Sequence, residues 1–240
     1  MEKFKIGTTS FIFPAPIFEN CKKLEHLVDE VSIVMFETKS CLNYTIKDLP
    51  YELKDFNLTY NIHLPLDLDW QKGISFVLED ISRLIDKTLF LNPTSYVLHP
   101  PQSKQTFIEF VEQAPKRELP INKFLIENIK ENNLVTIWDI VQNTPLNVCL
   151  DIGHLLEYNQ FAILNLDKIF QKIKMLHLYT PKNGIHKSLA LLDKRGISLL
   201  QEILTQISSR TSQITYILEV FNFKDLLSSL DFFKSFLTKP

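Results

Sequence analysis

Eight short runs rich in β-branched and aromatic residues punctuate the chain, and seven of them stop at a histidine, aspartate or glutamate. Residues 4–9 end near Thr8, Thr9 and Ser10. The runs 31–36, 58–62, 95–98, 124–126, 147–150, 173–176 and 215–218 stop at Glu37, His63, His99, Glu127, Asp151, His177 and Glu219. Stretches of helical period lie between them. The clearest is 74–89, which puts Ile74, Val77, Leu78, Ile81, Leu84, Ile85 and Leu89 on one face. Others cover 18–28, 104–113, 134–142, 160–171, 197–208 and 223–237, and 38–57 reads as a longer loop with a weak helix. Strand–helix alternation calls for parallel strands joined by crossover helices. Eight such units in 240 residues favour a closed (β/α)₈ barrel, α/β in class, over an open sheet. The expected organisation is one TIM-barrel domain over 1–240.

Composition agrees with that reading and excludes others. At 45% hydrophobic and 22% charged, the chain can bury a large core. The balance of 26 basic and 28 acidic residues leaves a net charge of −2, without the basic face that duplex DNA requires. Cys21, Cys41 and Cys149 are odd in number and show no CxxC spacing, which suits reduced, buried thiols in a cytoplasmic protein. No apolar run approaches the roughly 20 residues of a membrane span, and the first residues lack an apolar leader region. Neither a nucleic acid nor a membrane is expected as partner; oligomeric state is left open.

In a TIM barrel, residues at the C-terminal ends of the strands converge on one face. Five of the six histidines, His63, His99, His154, His177 and His186, lie at or just after strand ends, and His26 reads as surface. Together with Glu37, Glu127, Asp151 and Glu219 on one barrel rim they form a set whose carboxylates would repel one another and resist burial without cations. Mixed imidazole and carboxylate donors suit zinc first, then manganese or iron. In Asp151-Ile152-Gly153-His154 a strand-end carboxylate is followed by a glycine for a tight turn and then an imidazole. Glu37 is placed as a residue that orients a ligand or a substrate hydroxyl. Thr8, Ser10, Phe11, Phe13 and Tyr44, after the first two strands, are candidates for the substrate mouth. Asp67 and Asp69 read as solvated loop residues.

These residues resemble the metal-dependent xylose-isomerase-like TIM barrels, the superfamily of sugar isomerases and apurinic-site endonucleases. The resemblance implies one cation held by His63, His99 and a bridging Glu127, and a second held by Glu127, Asp151, His177 and Glu219. It implies a third near His154 and His186. The aspartate of the Asp-x-His motif expected there is absent, since the sequence reads Gly184-Ile185-His186; two cations are therefore the firmer count and three the upper one. A narrower resemblance, to the cobamide-remodelling phosphodiesterase family CbiR, rests on the Gly7-Thr8-Thr9-Ser10-Phe11-Ile12-Phe13-Pro14-Ala15 start. It rests also on the 28–37 stretch and on His63-Leu64-Pro65. It implies hydrolysis of the nucleotide-loop phosphodiester of a corrinoid substrate to cobinamide phosphate and an α-riboside, with Glu127, His154 and His186 at the reacting centre.

Three other readings share the scaffold. An apurinic-site endonuclease would need a basic duplex-sized surface. A sugar isomerase or epimerase would need one cation, on Glu127, Asp151, His177 and Glu219, and would have no evident use for His63, His99 and His186 together. A corrinoid-binding protein without catalysis would return its ligand intact. Lys182 and Lys187, flanking His186, read as exposed.

Overall fold

The computed structural model describes residues 4–208 and 213–237. The first residues, expected to lack a leader, and both extremes of the 1–240 domain lie outside the described residues. Eight parallel strands close into a barrel: β1 (Phe4–Thr9), β2 (Glu30–Val34), β3 (Thr59–His63), β4 (Tyr96–Leu98), β5 (Phe124–Glu127), β6 (Asn147–Asp151), β7 (Ile173–Leu178) and, after a short hairpin, β10 (Ile214–Leu218). Strand order follows chain order, and β1 pairs with β10 to complete the cylinder. The hairpin is β8 (Thr180–Lys182) with β9 (Ile185–Lys187), paired antiparallel on the C-terminal face. It turns on Asn183 and Gly184, both at positive φ (53° and 71°), which is the backbone that a two-residue Asn-Gly hairpin turn demands.

Helices sheathe the cylinder: α1 (Ile17–Leu24), α2 (Thr38–Leu42), α3 (Ile74–Thr88), α4 (Lys104–Gln113), α5 (Trp138–Val141), α6 (Ile152–Glu157), α7 (Ile169–Lys172), α8 (Lys194–Ser208) and α9 (Phe223–Leu237). The periodic stretch at 74–89 becomes α3, with the expected apolar face buried. The stretch at 134–142 shrinks to one 3₁₀ turn and a four-residue helix, because Leu134 sits at φ 65° and the helix cannot begin there. The stretch at 160–171 divides into a 3₁₀ turn and α7, separated by Lys168 at φ 60°. The segment 38–57 holds α2 and a 3₁₀ turn at Tyr51–Asp55. No helix among the described residues is long and apolar enough to cross a membrane. All three cysteines are free and buried.

The inside of the barrel follows from the two-residue period of a strand. Val97, Leu125, Cys149, Met175 and Ile217 form a separate buried apolar cluster across the barrel axis. Two residues further along the same strands stand His99, Glu127, Asp151, His177 and Glu219, so the polar layer lies directly above this plug. Beneath it, Glu30 is buried and satisfied by Lys5, Thr59, Asn61 and Thr94. The larger core lies outside the strands, where helices pack on their outward side chains.

Gly7 marks a close approach of β1 to both of its neighbours. A Cβ there would lie 2.6 Å from both the Glu30 carbonyl oxygen and Ile217 Cδ1. Backbone cannot yield as a flexible side chain can, so Gly7→Ala is expected to cost about 1–3 kcal/mol. A thermal melt of the variant should show a clearly lowered midpoint; an unchanged one would mean that β1 and β2 are spaced more widely than described.

Candidate metal centre

Glu127, at the end of β5, is the hub of the polar layer and is fully enclosed. His63 Nε2 and His99 Nε2 each lie 3.1 Å from its Oε2. His177 Nδ1 lies 3.3 Å from its Oε1, and His154 Nδ1 lies 3.7 Å from the same oxygen. Asp151 and Glu219 flank His177, with Oδ2 and Oε2 at 3.8 and 3.5 Å from its Nδ1. His186 Nδ1 lies 3.4 Å from Glu219 Oε2. Donor atoms within 4.8 Å of one another group the residues into His63–His99–Glu127, Glu127–Asp151–His177 and His63–His177–Glu219.

Local structure aims each group. Asp151 caps α6: its Oδ1 accepts from the His154 backbone N–H at 2.6 Å, which leaves Oδ2 free to face the cluster. Asn128 accepts from the Asp151 backbone N–H at 2.7 Å and donates to the Asp151 carbonyl and to Gln160 Oε1. Three imidazoles are fixed through backbone carbonyls: His63 Nδ1 at 3.0 Å from Leu64 O, His154 Nδ1 at 2.9 Å from Asn128 O, and His186 Nδ1 at 3.1 Å from Glu219 O. With Nδ1–H donating, Nε2 of each ring is the nitrogen open to a ligand. Gly153 is needed for close approach, since a Cβ there would lie 2.1 Å from the Tyr179 ring. That ring is buried and stacks on His186, with centroids 3.6 Å apart and planes 6° apart.

The electrostatics are unbalanced without cations. Burial works to raise Glu127, but the surrounding imidazoles, His177 and His99 foremost, outweigh it and hold the carboxyl well below its usual range. Glu127 therefore carries the charge, and its presence biases the neighbouring acids toward protonation. Burial, with the Glu127 charge, pushes Asp151 up to about 6. Burial, Asp151 and Glu127 together push Glu219 well above the carboxylate range. Burial also lowers His186 to about 4, so that ring is neutral at pH 7.

The donors fit divalent cations on two counts. Asp151 Oδ2 and Glu219 Oε2, both turned toward His177 Nδ1, are buried without a hydrogen-bond partner, an expensive condition for polar atoms in a packed interior. A neutral His63 whose Nδ1–H is given to Leu64 also turns a lone pair toward the Glu127 carboxylate. That contact is repulsive unless the ring is protonated or both atoms share a cation. Tetrahedral zinc with bonds of about 2.0–2.1 Å separates neighbouring ligand atoms by about 3.3 Å. The donor pairs on Glu127 at 3.1–3.3 Å match that spacing.

The sequence-expected set of His63, His99, Glu127, Asp151, His154, His177, His186 and Glu219 thus comes together around one centre. The substrate candidates are more scattered. Thr8 and Ser10 are buried in the barrel wall, where Thr8 Oγ1 donates to Leu218 O and Ser10 Oγ accepts from Val34 N–H. Glu37 is exposed at the start of α2 and accepts from Ser40 Oγ. Tyr44 lines a separate surface groove with Ile46, Tyr51 and Phe90. Phe11 lies by the mouth, through its ring contact with Phe36, whereas Phe13 packs against Phe223 and under the Lys23 ammonium. Sequence reasoning missed Asn128, Gln160 and Tyr179; adjacency to Glu127 was the only available signal for Asn128.

Cation affinity should depend steeply on pH. Asp151, pushed up to about 6, and Glu219, raised further above the carboxylate range by burial, must lose protons to act as ligands, so affinity is expected to rise with pH from about 6 upward, by about tenfold per unit for each proton released. Zinc titrations of ion-stripped protein at pH 5.5 and 7.5, in competition with a chromophoric chelator, would measure this. Equal affinity at both would remove these two carboxylates from the ligand set.

No protein-family model and no curated protein matches the sequence. Solved structures do match. A D-tagatose 3-epimerase-like protein superposes with a TM-score of 0.70 at 22% identity, covering 97% of each chain. Endonuclease IV from Thermus thermophilus gives 0.69 at 19%, covering 97% of this chain and 98% of that one. A probable 3-DHS dehydratase from Bacillus anthracis gives 0.64 at 13%, covering 96% and 98%. At these identities the likeness is one of architecture, and the chain is a (β/α)₈ barrel of the xylose-isomerase-like fold.

Proposed function

We propose that this chain is a metal-dependent phosphodiesterase acting on the nucleotide loop of cobamides, yielding cobinamide phosphate and an α-riboside. The observation that carries the hydrolytic reading is the two-sided use of Glu127. His63 and His99 meet one of its oxygens, and His177 meets the other. A single-cation isomerase has employment for the His177 side, with Asp151 and Glu219, and none for two imidazoles on the opposite oxygen. The narrower corrinoid assignment is supported by the Gly7–Ala15 start and by His63-Leu64-Pro65, which are similar to the CbiR family. The fold itself favours no reading, since its structural neighbours include both an epimerase-like protein and an endonuclease.

His63, His99 and Glu127 would hold one cation; Glu127, Asp151, His177 and Glu219 would hold the second. Zinc is the first choice for this donor set, manganese or iron the next. Bound in a pair, the cations would supply Lewis-acid charge for attack of water on phosphorus and for departure of the alcohol oxygen. The protein's own part is to exclude bulk water and fix the donors before reaction, where preorganised charge acts most strongly. His154 and His186 face the same cavity with Nε2 open, so they would receive phosphoryl oxygens or hold a weaker third cation. The absence of Lys and Arg from the cavity lining opposes a duplex nucleic acid substrate.

Incubation of zinc-loaded protein with cobalamin, followed by mass spectrometry, is expected to show cobinamide phosphate. Excess chelator should abolish turnover, and Glu127→Gln should lower it by at least about a thousandfold while the fold survives. Two or more cations per chain by elemental analysis supports this reading; one per chain together with ketose epimerisation would replace it.

A further inference from the structure

His186 reaches the polar layer on the hairpin β8–β9, whose strands are three residues each. A lone two-stranded hairpin has little stability of its own in water. Its outer side is open, with Ile185 at 55% exposure, and no acid between Thr180 and Lys187 is there to steer the imidazole. The polar contacts of the ring among the described residues are both to Glu219 and both at Nδ1: the backbone oxygen at 3.1 Å and carboxylate Oε2 at 3.4 Å. Contacts at one atom make a pivot. They fix neither the plane of the ring nor the aim of Nε2.

A different group sets the plane. Tyr179 is the first residue after β7 and is wholly buried. A Cβ on Gly153 of α6 would lie 2.1, 2.3 and 2.6 Å from three of its ring carbons, so the ring is seated against that helix without slack. Tyr179 thus belongs to the barrel wall, whereas His186 belongs to the hairpin. The imidazole lies flat on it, with centroids 3.6 Å apart and planes 6° apart. His154 meets the same tyrosine only at 6.3 Å and 89°; it is held by Asn128 O and covered by Tyr158 at 5.4 Å. The Tyr179 hydroxyl is buried without a hydrogen-bond partner, and Tyr179 is not part of the cavity wall. What it offers is a rigid flat face turned on one histidine.

We infer that Tyr179 is the positioning residue for His186: its buried face docks the hairpin on the barrel wall and aims Nε2 into the cavity. A reacting group needs such outside support, because side chains left to their own rotamers miss the productive geometry. The kinetic consequence rests on the hydrolase reading of the site; the placement of the ring does not.

The test pairs Tyr179→Phe, which keeps the flat face and removes the hydroxyl, with Tyr179→Leu, which keeps bulk and removes the face. In spectra of ion-stripped protein, the His186 ring protons, assigned by their loss in His186→Asn, are expected upfield of ordinary histidine positions, since protons above an aromatic face are shielded. Tyr179→Phe should preserve that shift and Tyr179→Leu should abolish it. With zinc-loaded protein and cobalamin, Tyr179→Leu should lower kcat at least about tenfold with KM little changed, since misplacing a reacting group by about 1 Å costs up to about a hundredfold. Tyr179→Phe should restore wild-type turnover. The double variant Tyr179→Leu/His186→Asn should be no slower than His186→Asn alone, because the tyrosine acts through that ring. Additive losses in the double variant would mark a merely structural role and overturn the inference. So would unshifted His186 protons in the wild type, or equal losses in the Phe and Leu variants. If the wild type leaves cobalamin intact, the reaction falls and the proton shifts alone decide the placement; if Tyr179→Leu fails to fold in a thermal melt, the wild-type and Tyr179→Phe shifts decide it.

Discussion

The arrangement depends on one electrostatic constraint: three carboxylates share a buried space with five imidazoles, and only Glu127 is held below its ordinary range while Asp151 and Glu219 are raised above theirs. Glu127 keeps its negative charge because rings approach both of its oxygens. That charge, with burial, then lifts Asp151 and Glu219 toward protonation. Buried acids held out of their ordinary state are costly, and a fold retains them where another positive charge can offset the cost. The backbone caps on His63, His154 and His186 make sense in the same terms, since each commits Nδ1 and leaves Nε2 for a ligand.

Much of this was legible from strand periodicity. Once Val97, Leu125, Cys149, Met175 and Ile217 point into the barrel, the residues two places on must do so too, and these are His99, Glu127, Asp151, His177 and Glu219. Residues far apart in the chain therefore became a spatial cluster without any distance being known. Prediction was weaker where side chains, rather than repeats, decide the path. The stretch 160–171 has helical spacing, yet Gln160 is drawn inward to Asn128 and Ile129, and Lys168 takes a left-handed conformation. Helical spacing at 134–142 likewise yields to the left-handed Leu134. The hairpin that delivers His186 has strands of only three residues, too short for an alternating pattern to register, although its Asn183-Gly184 turn is a hairpin signal.

The substrate candidates show a second limit. Thr8 and Ser10 sit at the right end of the right strand, but their hydroxyls bond the barrel wall, to Leu218 and Val34. Position along a strand gives height in the barrel; it does not say which neighbour a short polar side chain will choose. Phe36 illustrates the converse. Read as the last residue of a buried strand, it lies beyond the end of β2 and leans over the mouth against Phe11 and Phe221.

The apolar plug has a consequence beyond stability. It makes the cylinder a blind well, with its floor a single side-chain layer beneath the reacting groups. Nothing can thread through along the axis, so on the proposed hydrolytic reading both fragments would have to back out through the opening that admitted the substrate. A large fragment held at the rim would then block the smaller one's exit, and for such a reaction the order of departure, rather than bond breaking, would be the natural brake on turnover.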